Sequence, residues 1–386
     1  APDPPPIKRA ADIKLPRGGG GVARLAGTFD RALESAGSAV AGLPILGRLG
    51  VFIGGLVALW GPAGIPLVTD PRAAPQIAGA VWLYVVLVTL IRTWGKRVHC
   101  TPHPLRSHGL DPSAIRWGDG AAGLVSGAGI LFSLYSVQLL VGLASLGPVP
   151  PLSVGAAGLA MALAVAVVEE VVFRGWMVDE AARDLPLGAA MCLAAAVFAT
   201  VHWSGRAIPG LAILGMILSL TRQATGGQLE LAVGLHSGLV ATNYFVTVGG
   251  WLRHAPAAPA WLVGVNGNPL TGVMGLVWMG VLLLAVWPPP SRSAQLGEVG
   301  ISGTQAPGED IAWRPPDVAG ESMRVRTRGQ DVRLAVAAAA VAWAMWRLLG
   351  GGGGGGDARP PPPPPPSVTA ATSYEAAASY EAAEEE

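Results

Sequence analysis

Residues 153–175 read SVGAAGLAMALAVAVVEEVVFRG. Sixteen residues without a charge lead into Glu169-Glu170, and Phe173-Arg174-Gly175 follows one turn later. About 20 apolar residues, at roughly 1.5 Å each, carry a helix across a bilayer. The run therefore predicts a membrane helix with two carboxylates and a guanidinium at its end. Seven further apolar runs, at 49–68, 74–91, 121–146, 186–203, 208–221, 229–249 and 271–288, repeat the pattern. The sixth in chain order (208–221) is short and opens on Ile208-Pro209-Gly210, so a tilted, re-entrant or backward-extended segment is expected there. Helices are the default because backbone groups in lipid must bond within their own segment, and the runs are too long for barrel strands of roughly ten residues. The 386-residue chain is 51% hydrophobic and only 13% charged, with a mean hydropathy of +0.46. A soluble domain carries roughly 25% charge. The composition excludes a soluble globular enzyme, a disordered protein and a nucleic-acid binder. Cys100 and Cys192 make neither a disulfide framework nor a zinc site.

The fold expected is an all-α, polytopic transmembrane helical bundle of about eight spans with disordered N- and C-terminal tails. Residues 1–44 read as a polar Pro/Gly-rich tail and 45–290 as the membrane domain. Residues 291–349 read as a polar linker that includes a short Ala-rich apolar stretch (334–349), and 350–386 as a disordered Gly/Pro/acidic tail. Residue 1 is Ala, which leads us to expect a processed or trimmed chain. Trp94, Trp117, Trp176, Trp203, Trp251 and Trp287 fall near run ends, as interfacial anchors do. With eight spans, fifteen Lys and Arg up to residue 287 fall on the side of both termini and three (Arg72, Arg206, Arg253) on the other. Positive charge marks the cytoplasmic side or its organelle equivalent.

Ionisable groups inside apolar spans cost a few kcal/mol each and persist when they pair or do chemistry. On a helix, Glu170 and Arg174 are four apart and share a face. Glu169 lies about 100° round the helix without that partner, which suits a general base. His202 closes the run 186–203 one turn after Phe198, and His236 lies early in the run 229–249, followed by Asn243. Two glutamates, an arginine and two histidines on three helices read as one polar pocket: Glu169, Glu170, Arg174, His202 and His236.

These motifs, in this order, resemble the CPBP group of intramembrane proteases, the CAAX-protease and bacteriocin-processing (Abi/Rce1-like) family, over about residues 120–288. Ile208-Pro209-Gly210, Thr221-Arg222-Gln223, Gly234-Leu235-His236-Ser237-Gly238 and Gly249-Gly250 are similar to its plastid branch in plants and algae. The resemblance implies an intramembrane endopeptidase acting on membrane-bound or lipidated peptides. Glu169 and His202 would activate a water, His236 would stabilise the oxyanion, and Glu170 with Arg174 would hold the first carboxylate. Two histidines and a carboxylate would also suit a divalent metal such as zinc, on Glu169, His202 and His236; a metal-free Glu/His pair would suffice in principle. The partners implied are membrane lipid and a lipidated or membrane-protein substrate. The location implied is a chloroplast membrane, thylakoid or inner envelope, with both termini on the stromal side; the alternative is another cellular membrane with cytoplasmic termini.

The family's usual Asn four residues after the last histidine is Val240 here, which donates no hydrogen bond. A second reading follows: a non-catalytic scaffold or assembly factor in plastid membranes, serving pigment–protein complexes and using the same pocket to hold a partner.

Overall fold

The computed structural model describes residues 22–202 and 204–287. The linker 291–349, the Ala-rich stretch within it, the tail 350–386, residues 1–21 and Trp203 lie outside the described residues.

Every one of the eight apolar runs contains a helix. After α1 (Val22–Ala41), they are α2 (Ile45–Val68), α3 (Ala73–Arg97), α4 (Trp117–Leu140), α5 (Leu152–Glu169), α6 (Leu187–Thr200), α7 (Ile208–Ala224), α8 (Glu230–Thr247) and α9 (Val273–Val286). Among the described residues, five helical segments are long and apolar enough to cross a membrane: α2, α3, α4, α5 with its continuation, and Gly205–Ala224. Against the eight spans expected, α6 and α9 fall short at 14 residues each, and α8 carries Glu230, His236 and Asn243 in its 18. The run at 208 is extended backwards, through a turn at Gly205–Ala207. Val22–Ala41, read above as tail, is helical; it holds no proline, which is what the helix needs.

Helix α5 does not stop at the glutamates. It widens into a π-helical segment, Glu170–Met177, and closes with one α turn, Val178–Ala181, making a continuous span of 30 residues. Trp176 is thereby moved from a helix end into the interior, 1% exposed. It stacks on Phe52 at 3.8 Å between ring centroids and meets Trp94 edge-on at 5.9 Å. These two tryptophans join α2 and α3 to the π segment and are not interfacial anchors. Trp117 and Trp287 are exposed, in keeping with that role.

The bundle around the site closes through small residues. Gly123 and Gly127 of α4 face Gly234 and Gly238 of α8, and a Cβ on any of the four would overlap backbone of the facing helix. Small residues let membrane helices approach this closely. Helix α8 also runs against α5: Gly158 meets Tyr244, and Ser237 Oγ donates to the Ala162 carbonyl at 3.5 Å. His236 sits between the two α8 glycines, so its backbone is fixed from two sides. Outward-facing Leu46, Val57, Val81, Val277 and Leu284 are exposed, as lipid-facing side chains are.

Two three-residue strands, β1 (Ala144–Leu146) and β2 (Leu252–His254), pair antiparallel, with Ala144 opposite His254. They tie the end of α4 to the end of α8. Burial pushes the His254 imidazole below its ordinary pKa, and its Nε2 donates to Gln138 Oε1 at 3.0 Å. In the α2–α3 turn, hydrogen bonds from Arg72 hold the Asp70 carboxyl down to about 2.

Candidate active site

Depth decides whether the sequence-predicted residues can meet. A zigzag of full-length helices places Glu169 and His202 at opposite membrane faces. Two features remove that separation. The continuation of α5 to Ala181 lowers Glu169 twelve residues from the helix end, about 18 Å at 1.5 Å per residue. The shortness of α6, 14 residues and so about 21 Å, is less than a hydrocarbon core roughly 30 Å thick, so His202 need not reach the opposite face. The structure brings all five residues together.

Glu170 is fully buried. Its Oε1 accepts from Arg174 Nη1 at 3.1 Å and from His236 Nδ1 at 2.9 Å. A carboxylate only accepts, so the proton of neutral His236 sits on Nδ1 and Nε2 presents a lone pair. His202 is set the same way: its Nδ1 donates to the Phe198 carbonyl at 2.6 Å, one turn back on α6, leaving a lone pair on Nε2. The two Nε2 atoms lie 3.9 Å (His236) and 4.0 Å (His202) from one atom, Glu169 Oε2. That oxygen is shut from solvent and receives no hydrogen bond from the described residues. Phe198 packs edge-on to His202 (4.6 Å) and His236 (6.2 Å), with the Arg174 guanidinium 4.0 Å over its ring. This cation–π contact keeps the fully buried arginine beneath the histidines.

Both imidazole Nε2 atoms thus stand beside Glu169 Oε2, beyond direct hydrogen-bond distance. A metal on Glu169, His202 and His236 does not fit this spacing. Bonds of about 2.0–2.2 Å in a tetrahedron bring neighbouring ligand atoms to roughly 3.3–3.6 Å, whereas both nitrogens stand 3.9–4.0 Å from the carboxylate oxygen. No group of three His, Cys, Asp or Glu among the described residues stands close enough to hold a metal ion. The gap does match a water that donates one hydrogen to Glu169 and the other to an imidazole, since two hydrogen bonds of about 2.8 Å span it. Both protons are then tied, and an oxygen lone pair is left for an electrophile.

The missing amide is not replaced from further along α8. Asn243 Oδ1 accepts from Tyr135 Oη at 2.6 Å, at the end of the helix away from Glu169.

Sequence reasoning missed a second layer of charge directly beyond the π segment. Asp179 and Glu180 follow Glu169 and Glu170 by ten residues on the same continuous helix. Asp179 accepts from Arg222 Nη1 and Nη2 at 2.8 and 3.0 Å and from His108 Nδ1 at 2.8 Å. Glu180 binds His99 Nε2 at 2.7 Å and Trp94 Nε1 at 3.2 Å, and pairs with Arg48 at 2.5 Å. Asp184 completes that cluster by accepting from Arg48 Nη2 at 3.0 Å and from the Ile45 N–H at 2.6 Å. The signal that could have found these residues is the pair Asp179-Glu180 itself, once α5 is allowed to continue.

No curated protein and no solved structure matches the chain. Residues 151–242, which hold all five residues of the site, match the family described as type II CAAX prenyl endopeptidase Rce1-like.

Proposed function

We propose that this chain is an intramembrane endopeptidase acting on membrane-bound or lipidated peptides, with Glu169 as general base. The observation that carries the reading is the facing of Glu169 Oε2 by two imidazole lone pairs at 3.9 and 4.0 Å. In the step this geometry favours, the bridging water gives a proton to Glu169 while its oxygen bonds to the scissile carbonyl carbon. The C–N bond then breaks as Glu169 returns the proton to the leaving nitrogen, and the products are a carboxylic acid and an amine, which settle as carboxylate and ammonium by proton exchange. His202 takes the water's second hydrogen bond. His236 can donate to the tetrahedral oxyanion only after Nε2 gains a proton, and Glu170 on its Nδ1 side balances that charge. Glu170 and Arg174 act by positioning. The proposed setting is a plastid membrane with both termini on the stromal side.

One observation favours the scaffold reading: Val240 stands where the family's usual Asn would be and supplies no amide. Hydrolysis of a prenylated peptide by the protein in liposomes separates the two. A peptidase cleaves it, loses cleavage in Glu169→Ala, and gains about 10²-fold in Val240→Asn, the contribution expected of one oxyanion donor. An inert wild type that Val240→Asn leaves inert would sink the peptidase and leave the scaffold.

A further inference from the structure

Arg222 is one of the fifteen basic residues on the side of both termini, yet it is 2% exposed. Its five donors are spent with little to spare. Nη1 and Nη2 hold Asp179, Nε donates to the Gly227 carbonyl at 3.1 Å, and Nη1 also donates to the Arg174 carbonyl at 2.6 Å. The last contact is the informative one. A guanidinium from α7 grips the backbone of α5 inside its π segment, at the residue whose own side chain holds Glu170. A continuous chain of hydrogen bonds results: Asp179 to Arg222, Arg222 to the Arg174 backbone, Arg174 to Glu170, and Glu170 to His236 Nδ1. It ends at the lone pair that faces Glu169. His108 closes the other side, bonding Asp179 and lying against Gly175, where a Cβ would come within 3.0 Å of it.

Single-turn π segments recur at functional sites and are otherwise rare. An α-helical register over the same eight residues would turn Glu169 and Glu170 relative to Ala181. Something must hold the wider turn, and the only side chain among the described residues that bonds its backbone from another helix is Arg222.

We infer that Asp179 and Arg222 are positioning residues: the bidentate pair locks the π turn through the Arg174 carbonyl and thereby sets the Nδ1–H tautomer of His236 that turns Nε2 toward Glu169. The consequence for peptide hydrolysis rests on the endopeptidase reading; the tautomer does not. A merely structural ion pair would affect folding alone.

The test combines both readouts on the full chain in detergent or liposomes. Arg222→Gln removes the grip, Arg222→Lys keeps the charge but not the three-way geometry, and Asp179→Asn loosens the anchor with almost no change in shape. Side-chain ¹⁵N spectra of histidine-labelled protein report the His236 tautomer, assigned by its loss in His236→Gln. The inference expects the wild type to carry its proton on Nδ1. It expects Arg222→Gln and Asp179→Asn to move population to Nε2–H, with partial return in Arg222→Lys. Where the wild type cleaves prenylated peptide, kcat falls about 10²-fold with KM unchanged, as for a misplaced catalytic group. A wild type that does not cleave, alongside a tautomer that shifts in the variants, removes the endopeptidase reading and upholds the positioning role. A His236 tautomer identical to wild type in Asp179→Asn, with only the melting temperature lowered, overturns the positioning role. If Arg222→Gln does not fold, Asp179→Asn and Arg222→Lys decide.

Discussion

Adjacent glutamates at one helix turn have opposite physical roles. Glu170 is buried with no exposed surface and shares Oε1 between Arg174 and His236. Glu169 is 18% exposed and its Oε2 has no donor. Removing one member of a buried ion pair strands the other and costs about 3–5 kcal/mol. Glu170→Ala should therefore lower the unfolding temperature in detergent sharply, because Arg174 loses its counter-charge within the bundle. Glu169→Ala should leave that temperature unchanged or slightly raised, because it removes a buried oxygen that no group satisfies, while abolishing hydrolysis. Equal destabilisation by the two substitutions would contradict this division. That Glu169, Glu170, Arg174, His202 and His236 cluster was legible in the sequence because charge inside an apolar run is costly and conspicuous. Arg222 and Asp179 were not, although equally charged. Each stands near the end of an apolar stretch, where solvent is the ordinary explanation, and their contact joins positions 43 residues apart that no local pattern links.

At the scale of elements, the apolar runs located α2 to α9 among the described residues but not α1, whose sequence is polar; run length and composition are what the bilayer selects. The π segment left no such trace. Over eight residues a period of 3.6 cannot be told from a slightly wider one, and the i,i+4 pairing of Glu170 with Arg174 is satisfied in either. What the sequence does carry is the glycine of Phe173-Arg174-Gly175. Its ideal Cβ would lie 2.9 Å from the His108 carbonyl and 3.0 Å from the His108 Cβ, so the loop between α3 and α4 packs where a side chain would be. Gly175→Ala should force that loop outward and lengthen the His108–Asp179 contact. The expected cost is about 1–3 kcal/mol, the usual range for overpacking, read as a lower melting temperature. Failure of Gly175→Ala to destabilise would mean that the loop is not braced against the π turn.

At the scale of the whole molecule, the charge count and the buried clusters bear on the same face. Arg48, Arg174 and Arg222 are 3%, 1% and 2% exposed and are engaged by Glu180 and Asp184, Glu170, and Asp179 in turn. Taking these three out of the fifteen leaves twelve basic residues against three, so the asymmetry that orients the chain survives the loss. The three inward-turned arginines are neutralised within the fold. Orientation can be read with the protein's own cysteines. Cys100 is exposed in the segment after α3, between Arg97 and Arg106, on the side assigned to both termini; Cys192 is exposed on α6, within the span. A membrane-impermeant maleimide added to sealed vesicles should label Cys100 only when that basic side faces out, and Cys192→Ser should leave the labelling unchanged. Labelling of Cys100 only from the opposite side would reverse the whole bundle. It would place the paired arginines Arg48 and Arg222 at the face opposite the one that the charge count assigns to both termini.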